Sequence, residues 1–161
     1  MGDGALQNAV ALEGAVVPEW LPVRTSDYRL RALRDRHYAG GVGGRTVGQP
    51  GRRCAFVTFE GTAGWVSHWP DPQYVDHEFG DAYVCTLFRK EHEGLASPMI
   101  VAAMALTEAR WGDPPSGGWL TFVDADAVAS TNPGYCFKCV GFVPVGFTKE
   151  RGRLVLRHEG A

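Results

Sequence analysis

The sequence predicts a mixed α/β domain built on one mostly antiparallel sheet flanked by helices. Three observations carry that reading. Short β-branched and aromatic runs recur along the chain, separated by Gly- and Pro-containing turns. One long segment with an apolar side, residues 97–110, lies between two of those runs, as a crossover helix joining parallel strands does. The 161 residues are 45% hydrophobic and 21% charged, enough apolar material for one core without disulfide or metal staples.

Residues 1–17 are small and apolar and read as an N-terminal extension ahead of a domain spanning 18–161. They carry Asp3 and Glu13 and lack a basic start, which argues against a secretory leader. No apolar run approaches the ~18 residues that cross a bilayer, so a cytoplasmic protein without a membrane partner is expected. Residues 17–23 supply a short strand, which Pro18 and Pro22 confine to an edge. Thr25, Ser26 and Asp27 offer caps for a helix over 27–38, with Leu30 and Leu33 facing one way among arginines. The glycines from Gly40 to Gly44 stop it and open a loop through Gly51.

Strands over 54–59 and 64–69 pair about the turn at 61–64, and a third runs over 82–88 after a polar loop. Ser97 as cap and Pro98 behind it start the helix over 97–110, whose apolar side is Ile100, Ala103, Met104 and Leu106. Gly112-Asp113-Pro114-Pro115 ends it. Residues 118–123 form a buried strand ending at Asp124, 132–140 a short helix stopped by Gly141, and 142–148 with 153–157 a closing hairpin.

The formal charge is −2, but it is unevenly spread. Arg24, Arg29, Arg31, Arg34, Arg36, Arg45, Arg52 and Arg53 face only Asp27 and Asp35 in their stretch, a net of +6, which leaves −8 for the remainder. Such a split marks either a surface for anionic partners or a solvated helix face. Cys54, Cys85, Cys136 and Cys139 read as packed free thiols, since Cys136-Phe137-Lys138-Cys139 has no second ligand pair at zinc spacing.

The element order, above all in the C-terminal half, resembles the GNAT acetyltransferase superfamily. Phe137-Lys138-Cys139-Val140-Gly141-Phe142, downstream of Asn132, is similar to that family's helix-to-strand element. Arg89-Lys90-Glu91-His92-Glu93-Gly94-Leu95-Ala96-Ser97 stands where the family cradles the acetyl-CoA pyrophosphate on backbone N–H groups at a helix N-terminus. The resemblance implies acetyl-CoA at Arg89, Gly94, Leu95, Ala96 and Ser97, and a V-shaped splay in the sheet. The glycine spacing of this turn differs from the family's, Phe137 replaces a frequent tyrosine acid, and Pro98 removes one donor.

A narrower likeness rests on Arg36-His37-Tyr38 after a basic helix, on Cys85-Thr86-Leu87-Phe88-Arg89, on Thr121-Phe122-Val123-Asp124 and on Asn132-Pro133-Gly134-Tyr135-Cys136-Phe137. Together these resemble the Mom family, phage GNAT-like proteins that convert adenine in their own DNA to carbamoylmethyl-adenine and so evade restriction. The likeness spans about residues 28–156. It implies His37, Tyr38, Asp124 and Tyr135 as catalytic residues, with iron held by His37, Asp124 and Tyr135. It also implies double-stranded DNA as substrate, guided by Arg34, Arg36, Arg45, Arg52 and Arg53, with the target base flipped out of the stack. The host cytoplasm and, as one allowed assembly, a homodimer complete the expectation. An ordinary N-acetyltransferase for a small amine or peptide, and a non-catalytic DNA-binding relative, are the alternatives.

Each residue also has a plainer role open to it. His37 suits proton shuttling or ligation, or complements a helix dipole from its C-terminus. Asp124 suits a cleft, or caps a turn. Tyr135 is an acid, donor or ligand, or an aromatic anchor for its helix. Trp65, Trp69, Trp111 and Trp119 belong to the core more than to base stacking, with Trp69 in His68-Trp69-Pro70-Asp71 the best placed exception.

Overall fold

The computed structural model describes residues 11–12, 15–37, 44, 46–48, 51–71, 78–127 and 131–159. Within the expected N-terminal extension, β1 (Ala11–Leu12) pairs antiparallel with β2 (Ala15–Val16). The remaining elements follow as β3 (Leu21–Val23), α1 (Tyr28–Asp35), β4 (Arg52–Val57), β5 (Ala63–Trp69) and β6 (Tyr83–Lys90). Then come α2 (Ser97–Trp111), β7 (Trp119–Val123), α3 (Tyr135–Cys139), β8 (Val143–Phe147) and β9 (Leu154–His158). Seven strands make one sheet in the order β3-β4-β5-β6-β7-β9-β8. Every neighbouring pair is antiparallel except β6 and β7, which α2 connects. The expected α/β class, with a mostly antiparallel sheet and one parallel crossover, is the architecture observed.

Side-chain alternation divides the sheet into two faces. Cys54, Phe56, Ala63, Trp65, Tyr83 and Cys85 point into one cluster with Met99, Ile100, Ala103 and Met104 of α2 and Phe137 of α3. Ala55, Val57, Val66 and Leu87 point the other way and pack with Leu30 of α1 and with Val47. On that same side Ala82, Val84, Leu120 and Val155 form a smaller cluster with Phe79 and Phe122. α1 therefore lies on one face and α2 with α3 on the other.

Local chemistry sets the helix ends. Asp27 is the N-cap of α1, its carboxylate accepting the Arg29 N–H at 2.9 Å. The helix ends at Asp35, short of the expected residue 38, because His37 N–H returns to the Arg34 carbonyl in a tighter three-residue turn. Gly64 admits this helix: a Cβ there would stand 2.8 Å from Leu33 Cδ1. In α2 the structure corrects the expected cap. Ser97 is the first helical residue, Ala96 occupies the cap position without a side-chain bond, and Pro98 sits in the first turn, where a missing N–H costs nothing.

The sheet opens in its middle. The β6–β7 ladder holds only Tyr83–Trp119, Val84–Leu120 and Cys85–Thr121, while β6 continues to Lys90 and β7 to Val123. At the same level β6 bulges against β5, since Val66 faces Leu87 but Ser67 faces Cys85, leaving Thr86 as the extra residue. A bulge bends its strand and re-aims the side chains beyond it. Here it turns Leu87 and Arg89 to the α1 face and Phe88 to the α2 face, where Phe88 meets Phe137 edge-on at 5.9 Å.

Candidate functional site

The open end of β6 collects charge. Arg36, just past α1, binds Glu91 through two bonds, Nε to Oε2 and a second nitrogen to Oε1, each 2.8 Å. Arg89 donates Nε–H to the same Glu91 Oε2 at 2.6 Å and a second N–H to the Arg36 carbonyl at 2.8 Å. Glu91 N–H in turn bonds the Thr62 carbonyl, which fixes it to the β4–β5 turn. The network thus ties the end of α1 to the end of β6. The Arg36 hydrogen bonds hold the Glu91 carboxyl down to about 2, against a burial cost, with Arg89 adding to the effect.

His37 follows Arg36 in this clamp. Burial depresses its imidazole to about 4, and the charges of Arg89 and Arg153 push in the same direction. It is therefore neutral at pH 7, able to accept a proton. Arg153 stands immediately before Leu154, which pairs with Val123 at the end of β7. So β6, β7 and the β8–β9 turn all bring residues to the side of the gap that α1 covers.

Glu91→Gln tests the clamp. The exposed pair geometry limits the loss to about 0.5–1 kcal/mol after solvent screening, read as a lower urea midpoint at pH 7. Glu91 is depressed in the folded state, so its stabilisation is present above about 4.5 and disappears as pH falls toward 2. The variant should show a flatter stability profile in that window. An unchanged profile would remove Glu91 from the clamp.

The opposite side of the gap is built from the segment after β6 and from α3. Lys90 Nζ binds the His92 carbonyl at 2.7 Å, and His92 Nδ1 meets the Glu93 carbonyl at 2.8 Å. His92 Nε2 is buried without a partner among the described residues. Gly94, Leu95, Ala96 and Ser97 lead from there into α2. Cys85 and Cys136 lie beneath, and burial pushes both thiols up, Cys85 the further.

The remaining expected residues are dispersed. Asp124 Oδ1 accepts the N–H groups of Asp126 and Ala127, the turn-capping role. Tyr135 begins α3, on the α2 face, and is 61% exposed; a hydrogen bond with the Cys139 thiol pushes its phenol up. His37 and, by its register beside Arg153, Asp124 belong to the α1 face, and Tyr135 belongs to the α2 face. Tyr38 and Arg45 lie outside the described residues. Among the described residues no three His, Cys, Asp or Glu side chains gather as a metal set. Asp124 Oδ1 is engaged with its own turn and Tyr135 lies on the α2 face, and no catalytic step is routed through iron.

The arginines do not form one face. Arg34 is buried, its guanidinium bound to Asp35 and to the Gly44 and Thr46 carbonyls, so it ties the loop instead of facing a duplex. Arg53 binds the Val47 and Gly48 carbonyls. Arg52 lies over the Trp69 ring at 4.9 Å, at the far end of β4 from Val57 and the β4–β5 turn. Among the described residues, Arg36 is the member of the expected set that adjoins His37. Trp65 and Trp119 are fully buried, while Trp69 and Trp111 are half-buried and pack on each other and on Tyr83.

Glu91 and Arg153 are the two residues at this site that sequence patterning does not single out. An Arg-x-Glu pattern at a strand end was the available signal for Glu91; Arg153, in a turn, offered none. No family model, no curated protein and no solved structure matches the chain. No helix among the described residues is long and apolar enough to cross a membrane.

Proposed function

We propose that the chain is a GNAT-type transferase of the Mom kind, which modifies the exocyclic amine of adenine in DNA. The observation that carries the reading is the gap between β6 and β7, reached by a neutral histidine from one face and by the start of a 15-residue helix from the other. The strand order, with β9 inserted between β7 and β8, supports the GNAT assignment. A transferase of this type needs a donor and an acceptor to meet through the sheet, and the gap supplies the passage.

In this reading acetyl-CoA lies on the α2 side. The N–H groups of Leu95 and Ala96, which have no partner among the described residues, and the first turn of α2 would receive its pyrophosphate. When bound, it supplies an activated two-carbon acyl group. The adenine amine would approach from the α1 side, where His37 is placed to take the proton that the amine loses. The clamp of Arg36, Arg89 and Glu91 holds His37 at the gap.

Nucleoside analysis of DNA co-expressed with the protein tests the proposal. A heavier adenine nucleoside by mass spectrometry, with the plasmid resisting restriction, is expected. Unmodified adenine on a plasmid that stays cleavable would refute it. The second reading is an N-acetyltransferase for a small amine, favoured by the separation of Arg52 and Arg53 from His37. It expects thiol release from acetyl-CoA that needs an amine and no DNA.

A further inference from the structure

Past the bulge at Thr86, Arg89 shares the α1 face with Leu87. On β9, Leu154 and Leu156 belong to the α2 face and Val155 to the α1 face, so alternation puts Arg153 on the α1 face as well. The β9 register sets Arg153 beside the residue after Val123, at the end of β7. Two guanidinium groups thus flank the gap on one face, and Arg89 is bonded to the carbonyl of Arg36, the residue before His37.

Their donors are not all engaged. Arg89 commits Nε and one terminal nitrogen to Glu91 and the Arg36 carbonyl, and its other terminal nitrogen has no partner among the described residues. Arg153 bonds only through its backbone, to Thr148, and forms no ion pair among the described residues. Three cations, Arg36, Arg89 and Arg153, stand on this face, against the carboxylates of Glu91, bridged to two of them, and of Asp124, beside Arg153 by register. Asp124, the next nearest acid by register, is turned to its own backbone. Excess positive charge beside a neutral imidazole is an arrangement completed by an anion.

We propose that Arg89 and Arg153 form, at the gap beside the segment that carries His37, a binding site for a phosphate group of the acceptor substrate. Resting on the proposed DNA activity, the site takes the phosphodiester next to the flipped adenosine.

The ring protons of His37, assigned with His37→Gln, report on this by NMR. Full-length protein is titrated with inorganic phosphate and, separately, with a short adenine-containing oligonucleotide. Both should move the His37 resonance. The oligonucleotide should act at a concentration at least about tenfold lower, with the salt slope of phosphate contacts. Arg153→Gln should abolish the response while keeping the wild-type melting temperature, and Arg153→Lys should keep a weaker response. A His37 resonance unmoved by phosphate, or an Arg153→Gln protein that responds as wild type, overturns the site. Oligonucleotide binding that leaves His37 unmoved sinks the site and spares the DNA activity. A response through Arg153 in which the oligonucleotide is no better than phosphate keeps the site and removes DNA as its source.

Discussion

His37→Gln should lower the rate of transfer to the acceptor amine by about 10²–10⁴-fold, the usual contribution of a positioned general base. Glutamine keeps the bulk and neutrality of the imidazole but cannot take up a proton. The same substitution should have an opposite effect on acid stability. Folded His37 titrates near 4, below its ordinary 6.5. Above 6.5 the ring is neutral in both states and contributes nothing to pH dependence. Below it the unfolded chain takes up the proton first, so stability falls as pH drops from 6.5 to 4. At pH 5 that loss is about 2 kcal/mol relative to pH 7, and His37→Gln should escape it. Urea unfolding at pH 7 and pH 5 reads the second effect, and turnover at pH 7.5 the first. A variant with activity within threefold of wild type would remove His37 as the base, whatever its stability profile.

The contrast between His37 and its neighbours shows what a sequence can convey. The pairing of His37 with the end of a basic helix was readable, because Asp27, Leu30, Leu33 and the glycines beyond them mark that helix at both ends and on its buried side. The strand runs and the crossover were readable for the same reason: their apolar patterning is local. The extra residue at Thr86 was not. Uninterrupted alternation along β6 would set Leu87 and Arg89 on the face of Cys85, and only the paired register with β5 shows that they cross to the other. Position, not residue type, makes Arg89 part of the site.

Charge was misleading in a related way. The sum of +6 over residues 24–53 adds groups irrespective of place. The fold sends Arg36 to Glu91, buries Arg34 in a loop, and carries Arg52 to the other end of β4. Arg153, which no charge run includes, comes near enough to His37 to act on its imidazole, as Arg52 and Arg53 do not. A net charge along a sequence becomes a surface only when its members share a side, and Arg34, Arg36 and Arg52 do not.

Gly118→Ala should destabilise the fold by roughly 2–5 kcal/mol, combining left-handed backbone strain with overpacking. Gly118 has φ +67°, and a Cβ there would stand 2.1 Å from the His158 carbonyl oxygen and 3.0 Å from Glu159 Cα. Both obstacles are backbone, so no side-chain rotation relieves them. The residue also accepts the Tyr83 N–H through its carbonyl and donates its own N–H to the Pro115 carbonyl. It thus sits where β7 enters between β6 and β9, one residue before Trp119, which is fully buried between Trp65 and Tyr83. Displacing it moves the first pair of both the β6–β7 and the β7–β9 ladders, Tyr83–Trp119 and Trp119–His158. The β6–β7 ladder has only three pairs, so the loss of one strikes the hinge of the gap. Gly80→Ala is the control: φ is +88° there but nothing among the described residues lies within 4 Å of the added Cβ, which leaves the backbone term alone, about 1–2 kcal/mol. Urea unfolding of the two variants separates the contributions. If Gly118→Ala costs no more than Gly80→Ala, the close approach of β9 to the start of β7 is not rigid, and the gap above it has freedom to widen.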